Sequence, residues 1–162
     1  MEHEIIPIDA RENYKATVEA LLMRIEPMFN GIKNIRIHGD CHFGNVLWTP
    51  DGPTFLDFDD MANGPAVQDV WMLVPGYDDH AKQQREILIE AYEAFREFDR
   101  SELRLIEPLR ALRYIHYASW IARRWEDPIF KRTFEHFGSI QYWQRETQDL
   151  REQIGRIDML TY

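Results

Sequence analysis

The sequence predicts a mainly helical α+β protein with one small β-hairpin near its middle. Three observations predict it. Stretches 9–29, 78–98, 101–125 and 140–155 carry apolar residues at helical spacing. Apolar runs flank Asp51-Gly52, the signature of a hairpin turn. The chain has 162 residues, 44% hydrophobic and 29% charged, which suffices for one globular domain with a core. No repeat, low-complexity tract or flexible linker divides it, so 1–162 reads as a single domain.

The first helix, 9–29, shows an apolar stripe of Val18, Leu21, Leu22, Ile25 and Met28. Asp9 is positioned to cap it and Pro27 to bend or end it. Asn30-Gly31 marks a turn, and 35–37 reads as a short strand. The hairpin pairs 46–48 with 54–58 across Pro50-Asp51-Gly52-Pro53, and 61–65 reads as a loop. Pro65 suits the first turn of a helix running to about Leu73, where Pro75-Gly76 breaks it. The helix at 78–98 turns Ala81, Leu88, Ile89, Tyr92 and Phe95 to one face, with Asp78 and Asp79 at its positive end. Asp99 or Ser101 caps the next, which runs to Trp125; Pro108 implies a kink or two helices end to end. His116 falls on its apolar face and reads as a hydrogen-bonded core histidine. Arg110, Arg113, Arg123 and Arg124 read as a solvated face or ion-pair partners, with recognition of an acidic partner as the rival view. After an aromatic stretch at 129–137, Ser139 caps a last helix at 140–155, whose thin seam of Tyr142, Trp143, Leu150 and Ile154 suggests loose docking or contact with a second copy.

The chemistry is concentrated between Ile37 and Asp60. His38, Asp40, His42, Asn45, Asp57, Asp59 and Asp60 alternate there with Ile35, Val46, Leu47, Trp48, Phe55, Leu56 and Phe58. The pattern reads as carboxylates at the ends of buried strands, where desolvation makes charge expensive. If the hairpin forms, Asn45 at its start lies near Asp57 at its end, with Asp40 on the entering loop. One amide oxygen and two carboxylates then converge, a set suited to Mg²⁺ with retained waters and phosphate oxygens. Asp40 is left to accept a proton or orient a hydroxyl, as phosphoryl transfer requires.

The segment H-G-D-C-H-F-G-N (38–45) resembles the catalytic loop of aminoglycoside-phosphotransferase and choline-kinase-like kinases, a variant of H-R-D-x-x-x-x-N. F-L-D-F-D-D (55–60) resembles the metal-binding segment that follows it. N-G-P-A-V-Q-D-V-W-M-L (63–73), E-P-L-R-A-L-R-Y-I-H-Y and A-R-R-W-E-D-P narrow the resemblance to the bacterial stress response kinases, over about Ile35 to Trp143. The resemblance implies the C-terminal lobe of a protein-kinase-like fold. It implies Asp40 as catalytic base or hydroxyl-orienting residue, Asn45 and Asp57 as Mg²⁺ ligands, and His38 as support for the loop. Asp69 would tie that loop down from the next helix. Asp59 would touch a second metal or the substrate side, and Asp60 has no assignment. His42 reads as a loop histidine or as a group facing the nucleotide phosphates. The implied substrates are ATP and a hydroxyl, protein Ser/Thr by the narrower resemblance, or a small alcohol such as choline, homoserine or an aminoglycoside by the wider one.

The resembled kinases are longer. Their phosphate-covering loop, α/β-phosphate lysine and paired glutamate have no counterpart here: no glycine precedes Gly31, and Lys15 and Lys33 lie in a helix and a loop. The expectation is a lobe without its amino-terminal partner, inactive alone, with an exposed apolar interface that favours dimerisation. A non-catalytic interaction module is the alternative. A Zn²⁺ site on His38, Asp40 and His42, with Cys41 between, is another, although Gly39 and Gly44 argue for a loop.

A net charge of −9 argues against sequence-independent binding to nucleic acid or an anionic membrane. The single cysteine permits no internal disulfide, and acids beside Cys41 would raise its thiol pKa. The start M-E-H-E-I-I-P-I-D lacks a leader pattern and no apolar run reaches membrane-spanning length, so a cytoplasmic location is expected.

Overall fold

The computed structural model describes residues 5–160. Residues 1–4, part of the stretch read for a leader, lie outside the described residues. The chain forms two compact units, one joining Met1–Asn30 to Glu107–Tyr162, the other Gly31–Ile106. The first is built from helices alone and the second adds two short antiparallel strand pairs, together the mainly helical α+β architecture that the periodicities predict.

The first unit is helical. Helix α1 (Ile8–Ile25) begins at Pro7, whose carbonyl takes the amides of Ala10 and Arg11; Asp9 lies inside the first turn and does not cap it. The α-helix stops at Ile25 and tightens into a 3₁₀ turn over Glu26–Phe29, because Pro27 has no N–H to continue the ladder. Leu21 and Ile25 are buried, whereas Leu22 of the expected stripe is exposed.

The later helices of this unit are α4 (Ile106–Arg123), α5 (Pro128–Thr133) and α6 (Ile140–Leu160). Pro108 sits in the first turn of α4, where a missing N–H costs nothing, so α4 follows a separate 3₁₀ turn at Arg100–Leu105. His116 is exposed, not a core histidine, while Ala111, Ala118 and Ile121 form the buried face. Arg110 is buried beside Glu107 at 3.4 Å; Arg123 and Arg124 are exposed, and Arg124 lies 4.7 Å from the Trp120 ring. Asp127 caps α5 and Ser139 caps α6.

Helix α6 runs past 155 and docks firmly on α1 rather than loosely. Its buried seam is Trp143, Thr147, Leu150, Gln153 and Ile157. Two polar residues hid part of that seam from the apolar count. Thr147 is tolerated there because its hydroxyl donates to the Trp143 carbonyl at 2.7 Å. Leu150 and Ile157 meet Leu21, Ile25 and Ala111.

In the second unit β1 (Ile35–Ile37) pairs antiparallel with β4 (Ala62–Gly64), placing Ile35 opposite Gly64. The segment 61–65 expected as loop therefore contributes a strand. At Gly64 a Cβ would lie 2.7 Å from Ile37 Cδ1, so a larger residue there would make the end of the Ile37 side chain move. Strands β2 (Val46–Thr49) and β3 (Gly52–Phe55) make the expected hairpin, with Val46 opposite Phe55. The second strand ends at Phe55 rather than 58, because Asp57 adopts φ +60° and leaves the extended conformation.

Helices α2 (Val67–Leu73) and α3 (Asp79–Glu93) complete this unit with the 3₁₀ turn 100–105. Pro65 stands ahead of α2, and its carbonyl receives the Gln68 amide. Asp78 caps α3, which ends at Glu93, so Phe95 lies beyond it, 94% exposed. Arg85 is buried and donates to the carbonyls of Val74 and Gly76. The buried Glu102 takes the Val67 amide at 3.0 Å and also bonds the Ala66 amide, capping α2 from a distance in sequence. Burial raises its carboxyl pKa against the lowering effect of those amides.

Truncating Leu150 to alanine should lower stability by about 2–5 kcal/mol, read by thermal or urea unfolding, because it empties the α1–α6 seam. An unchanged midpoint would mean α6 is not docked in solution. Glu102→Ala should cost about 1–3 kcal/mol by stranding two buried amides. The raised carboxyl favours the folded state below the ordinary Glu range, and that contribution is lost as pH rises through the raised value. Glu102→Gln should therefore flatten the pH dependence of stability above the ordinary Glu range, and an unaltered slope would contradict the assignment.

Candidate functional site

The site is built on the loop leaving β1. Asp69, in the first turn of α2, accepts the His38 amide at 2.8 Å through Oδ2 and the Gly39 amide at 3.0 Å through Oδ1. Gln68 beside it donates from Nε2 to the Gly39 carbonyl at 3.0 Å. Gly39 has φ +86°, and a Cβ there would sit 2.3 Å from the Asp60 carbonyl oxygen. Only glycine lets the chain pass between Asp60 and α2.

Beyond Gly39 the chain presents Asp40. Its own carbonyl receives the His42 amide at 2.9 Å and Asn45 Nδ2 at 3.0 Å. Its carboxylate is 18% exposed, with Oδ2 3.5 Å from both Asn45 Nδ2 and His42 Nε2. His42 caps the 3₁₀ turn Phe43–Asn45, its Nδ1 accepting from Gly44 N–H, so the neutral ring carries its proton on Nε2 toward Asp40. His38 turns inward instead. Its Nε2 lies 2.8 Å from the Leu56 carbonyl and its ring packs 4.8 Å from Phe58. A carbonyl only accepts, so Nε2 bears the proton, and His38 fastens the loop to the segment after β3. Burial, reinforced by Asp69 and Asp40, pushes the Cys41 thiol up to about 12, which keeps it protonated.

The hairpin brings its ends together as the spacing implies. Leu56 N–H bonds the Asn45 carbonyl at 2.9 Å, which places Asp57 one residue past that bridge. Asn45 turns Nδ2 toward an oxygen that can only accept, so its Oδ1 faces the other way, free of that contact. Asn45 and the exposed Asp57 thus lie near one hairpin end, and an amide oxygen and a carboxylate are the donor types that a hard divalent cation takes. The zinc alternative is not assembled: among the described residues no three His, Cys, Asp or Glu side chains converge to hold a metal.

Two sequence expectations are corrected. The strands around the acids are not buried, since Leu47, Trp48, Phe55, Leu56 and Phe58 are exposed, Trp48 by 68%. A two-stranded hairpin has two faces, and Leu47 and Trp48, on opposite faces of β2, both stay exposed. Asp57, Asp59 and Asp60 are exposed as a consequence, so desolvation does not single them out. Gln68 and Gly39 were missed as parts of the site. Gln68 had a signal, its place beside the acid expected to hold the loop, but a glutamine carries no charge to attract attention. Among the described residues no helix is long and apolar enough to cross a membrane.

Comparison with known proteins follows the same residues. The family model for phosphotransferase enzymes matches residues 6–106. "Stress response kinase A" of Salmonella choleraesuis is 44% identical over 150 residues, covering 92% of this chain and 45% of that protein. The Escherichia coli K12 protein of the same name is 53% identical over 119 residues, 74% of this chain and 36% of the relative. "Serine/threonine protein kinase RdoA" of Salmonella typhimurium is 44% identical over 150 residues. The chain spans less than half the length of these relatives. On the family model, and on the loop and hairpin that it covers, the chain belongs to the phosphotransferase enzyme family.

Proposed function

We propose that these residues carry the acceptor side of an ATP-dependent phosphoryl transfer to a hydroxyl. The observation that carries the proposal is Asp40: a carboxylate held through the backbone on both sides, with Asn45 Nδ2 3.5 Å from its Oδ2. Asp40 orients the acceptor hydroxyl and receives its proton. Asn45 and Asp57 hold Mg²⁺, and Asp59 lies on the outer, substrate side. The ion, when bound, neutralises charge on the transferred phosphoryl group. His42, with its Nε2 proton directed toward Asp40, borders the phosphates. His38 and Asp69 fix the loop and touch no substrate.

Protein Ser/Thr is the proposed acceptor. Its support is the relative named as a serine/threonine kinase. A cytoplasmic setting fits ATP as donor.

The test is transfer from labelled ATP with Mg²⁺ to a generic protein acceptor, using this chain and a version extended to the length of its relatives. Asp40→Asn should lower the rate about 10²–10⁴-fold with little change in stability. Transfer unaffected by Asp40→Asn, or absent from both versions, would contradict the proposal. Asp69→Asn places an amide where two N–H groups converge and leaves one of them unpaired. It should cut turnover about tenfold to a hundredfold while the KM for ATP stays within about twofold. A change confined to KM would argue that Asp69 shapes nucleotide binding instead.

A further inference from the structure

We infer that Gln68 is a positioning residue for Asp40, its amide turned by the Trp71 indole; the inference rests on the phosphoryl-transfer reading only for what Asp40 does. Three successive peptide groups lead into Asp40. Asp69 takes the N–H groups of the first two, at His38 and Gly39. The third joins the Gly39 carbonyl to the Asp40 nitrogen, and Gln68 grips it by that carbonyl at 3.0 Å. On the far side of Asp40 the carbonyl is held by the His42 amide and Asn45 Nδ2. Both peptide planes flanking the Asp40 Cα are therefore anchored, and the direction of its side chain follows from them. Asp69 acts one plane too early to do this alone.

The orientation of the Gln68 amide is fixed by chemistry. Trp71 is buried, and its Nε1 donates to Gln68 Oε1 at 3.0 Å. An indole N–H only donates and a carbonyl only accepts. With Trp71 on one side and the Gly39 carbonyl on the other, one amide orientation satisfies both, and the flipped one opposes like groups at each end. Gln68 Nε2 also lies 3.1 Å from Met72 Sδ, a weak acceptor that suits the same orientation. Each of these groups belongs to one compact unit.

A carboxylate in place of the Gln68 amide presents oxygen to the Gly39 carbonyl and repels it. The protonated acid regains a donor and restores the bond. Gln68→Glu should thus misplace Asp40 in a pH-dependent way, which a merely structural role would not produce.

The experiment follows the Asp40 backbone amide and the Asn45 side-chain amide by ¹⁵N NMR in the full chain, variant against wild type at each pH. At neutral pH, Gln68→Glu should displace both signals while the fold is retained. As pH falls through the carboxyl range, the signals should converge on the wild-type positions. Trp71→Phe should broaden or displace the same signals by freeing the amide to turn. Signals that stay at wild-type positions, or are displaced equally at every pH, overturn the inference. If Gln68→Glu does not fold, Gln68→Met decides: displaced signals support the assignment and unmoved ones overturn it. The labelled-ATP assay on the wild type judges the functional reading separately. Where transfer is seen, Gln68→Glu should lower kcat about tenfold to a hundredfold with KM for ATP nearly unchanged.

Discussion

The interaction on which the site depends is the pair of hydrogen bonds from the His38 and Gly39 amides to the Asp69 carboxylate. Two N–H groups of a loop with no strand partner converge on one charged acceptor. Such charge-assisted bonds are stronger than neutral ones, and losing the acceptor would leave both donors unmet in a half-buried place. The rest follows geometrically. With His38 and Gly39 fixed to α2, Gly39 passes close under Asp60, His38 faces Leu56, and Asp40 emerges at the rim beside Asn45. Helix α2 is itself held by the Glu102 carboxylate at its first amides, so the anchor is anchored in turn.

Energy is distributed unevenly over this arrangement. The loop is dense with polar contacts, while the hairpin beside it carries exposed Leu47, Trp48 and Phe55. Two strands alone bury too little apolar area to be stable in isolation. The hairpin is kept in register by the Asn45–Leu56 bridge and by the turn at Gly52, whose φ of +116° suits glycine. Precision sits at Asp40 and adaptability at the hairpin. That division suits the proposed role, in which Asp40 is held rigidly while the hairpin end admits a cation and a phosphate chain.

Much of this was legible in the sequence, for definite reasons. The hairpin was readable because Asp51-Gly52 separates two apolar runs, and its register then predicted Asn45 beside the Leu56–Asp57 end. Asp69 was readable through the motif resemblance, not through any periodicity. The strand β4 was hidden, because Ala62-Asn63-Gly64 has no apolar pattern and pairs only through its backbone. Burial was misjudged in both directions. Alternating apolar residues around the acids suggested a core, but exposed hairpin faces carry the same alternation. His116 fell on a helical stripe in one dimension and on the surface in three. In α6, Thr147 and Gln153 broke the apolar count although both are buried. Gln68 was overlooked because its role comes from what it touches, namely a carbonyl and an indole, and neither is visible from spacing.

The most direct measurement of the central claim is native-state hydrogen exchange at the His38 and Gly39 amides. If Asp69 clamps the loop, both should exchange slowly, with opening free energies close to those of the α2 amides, and Asp69→Ala should release them together. Fast exchange at both positions in the wild type, at rates typical of an open loop, would show that the clamp does not persist in solution. The account of how Asp40 is held would then fail.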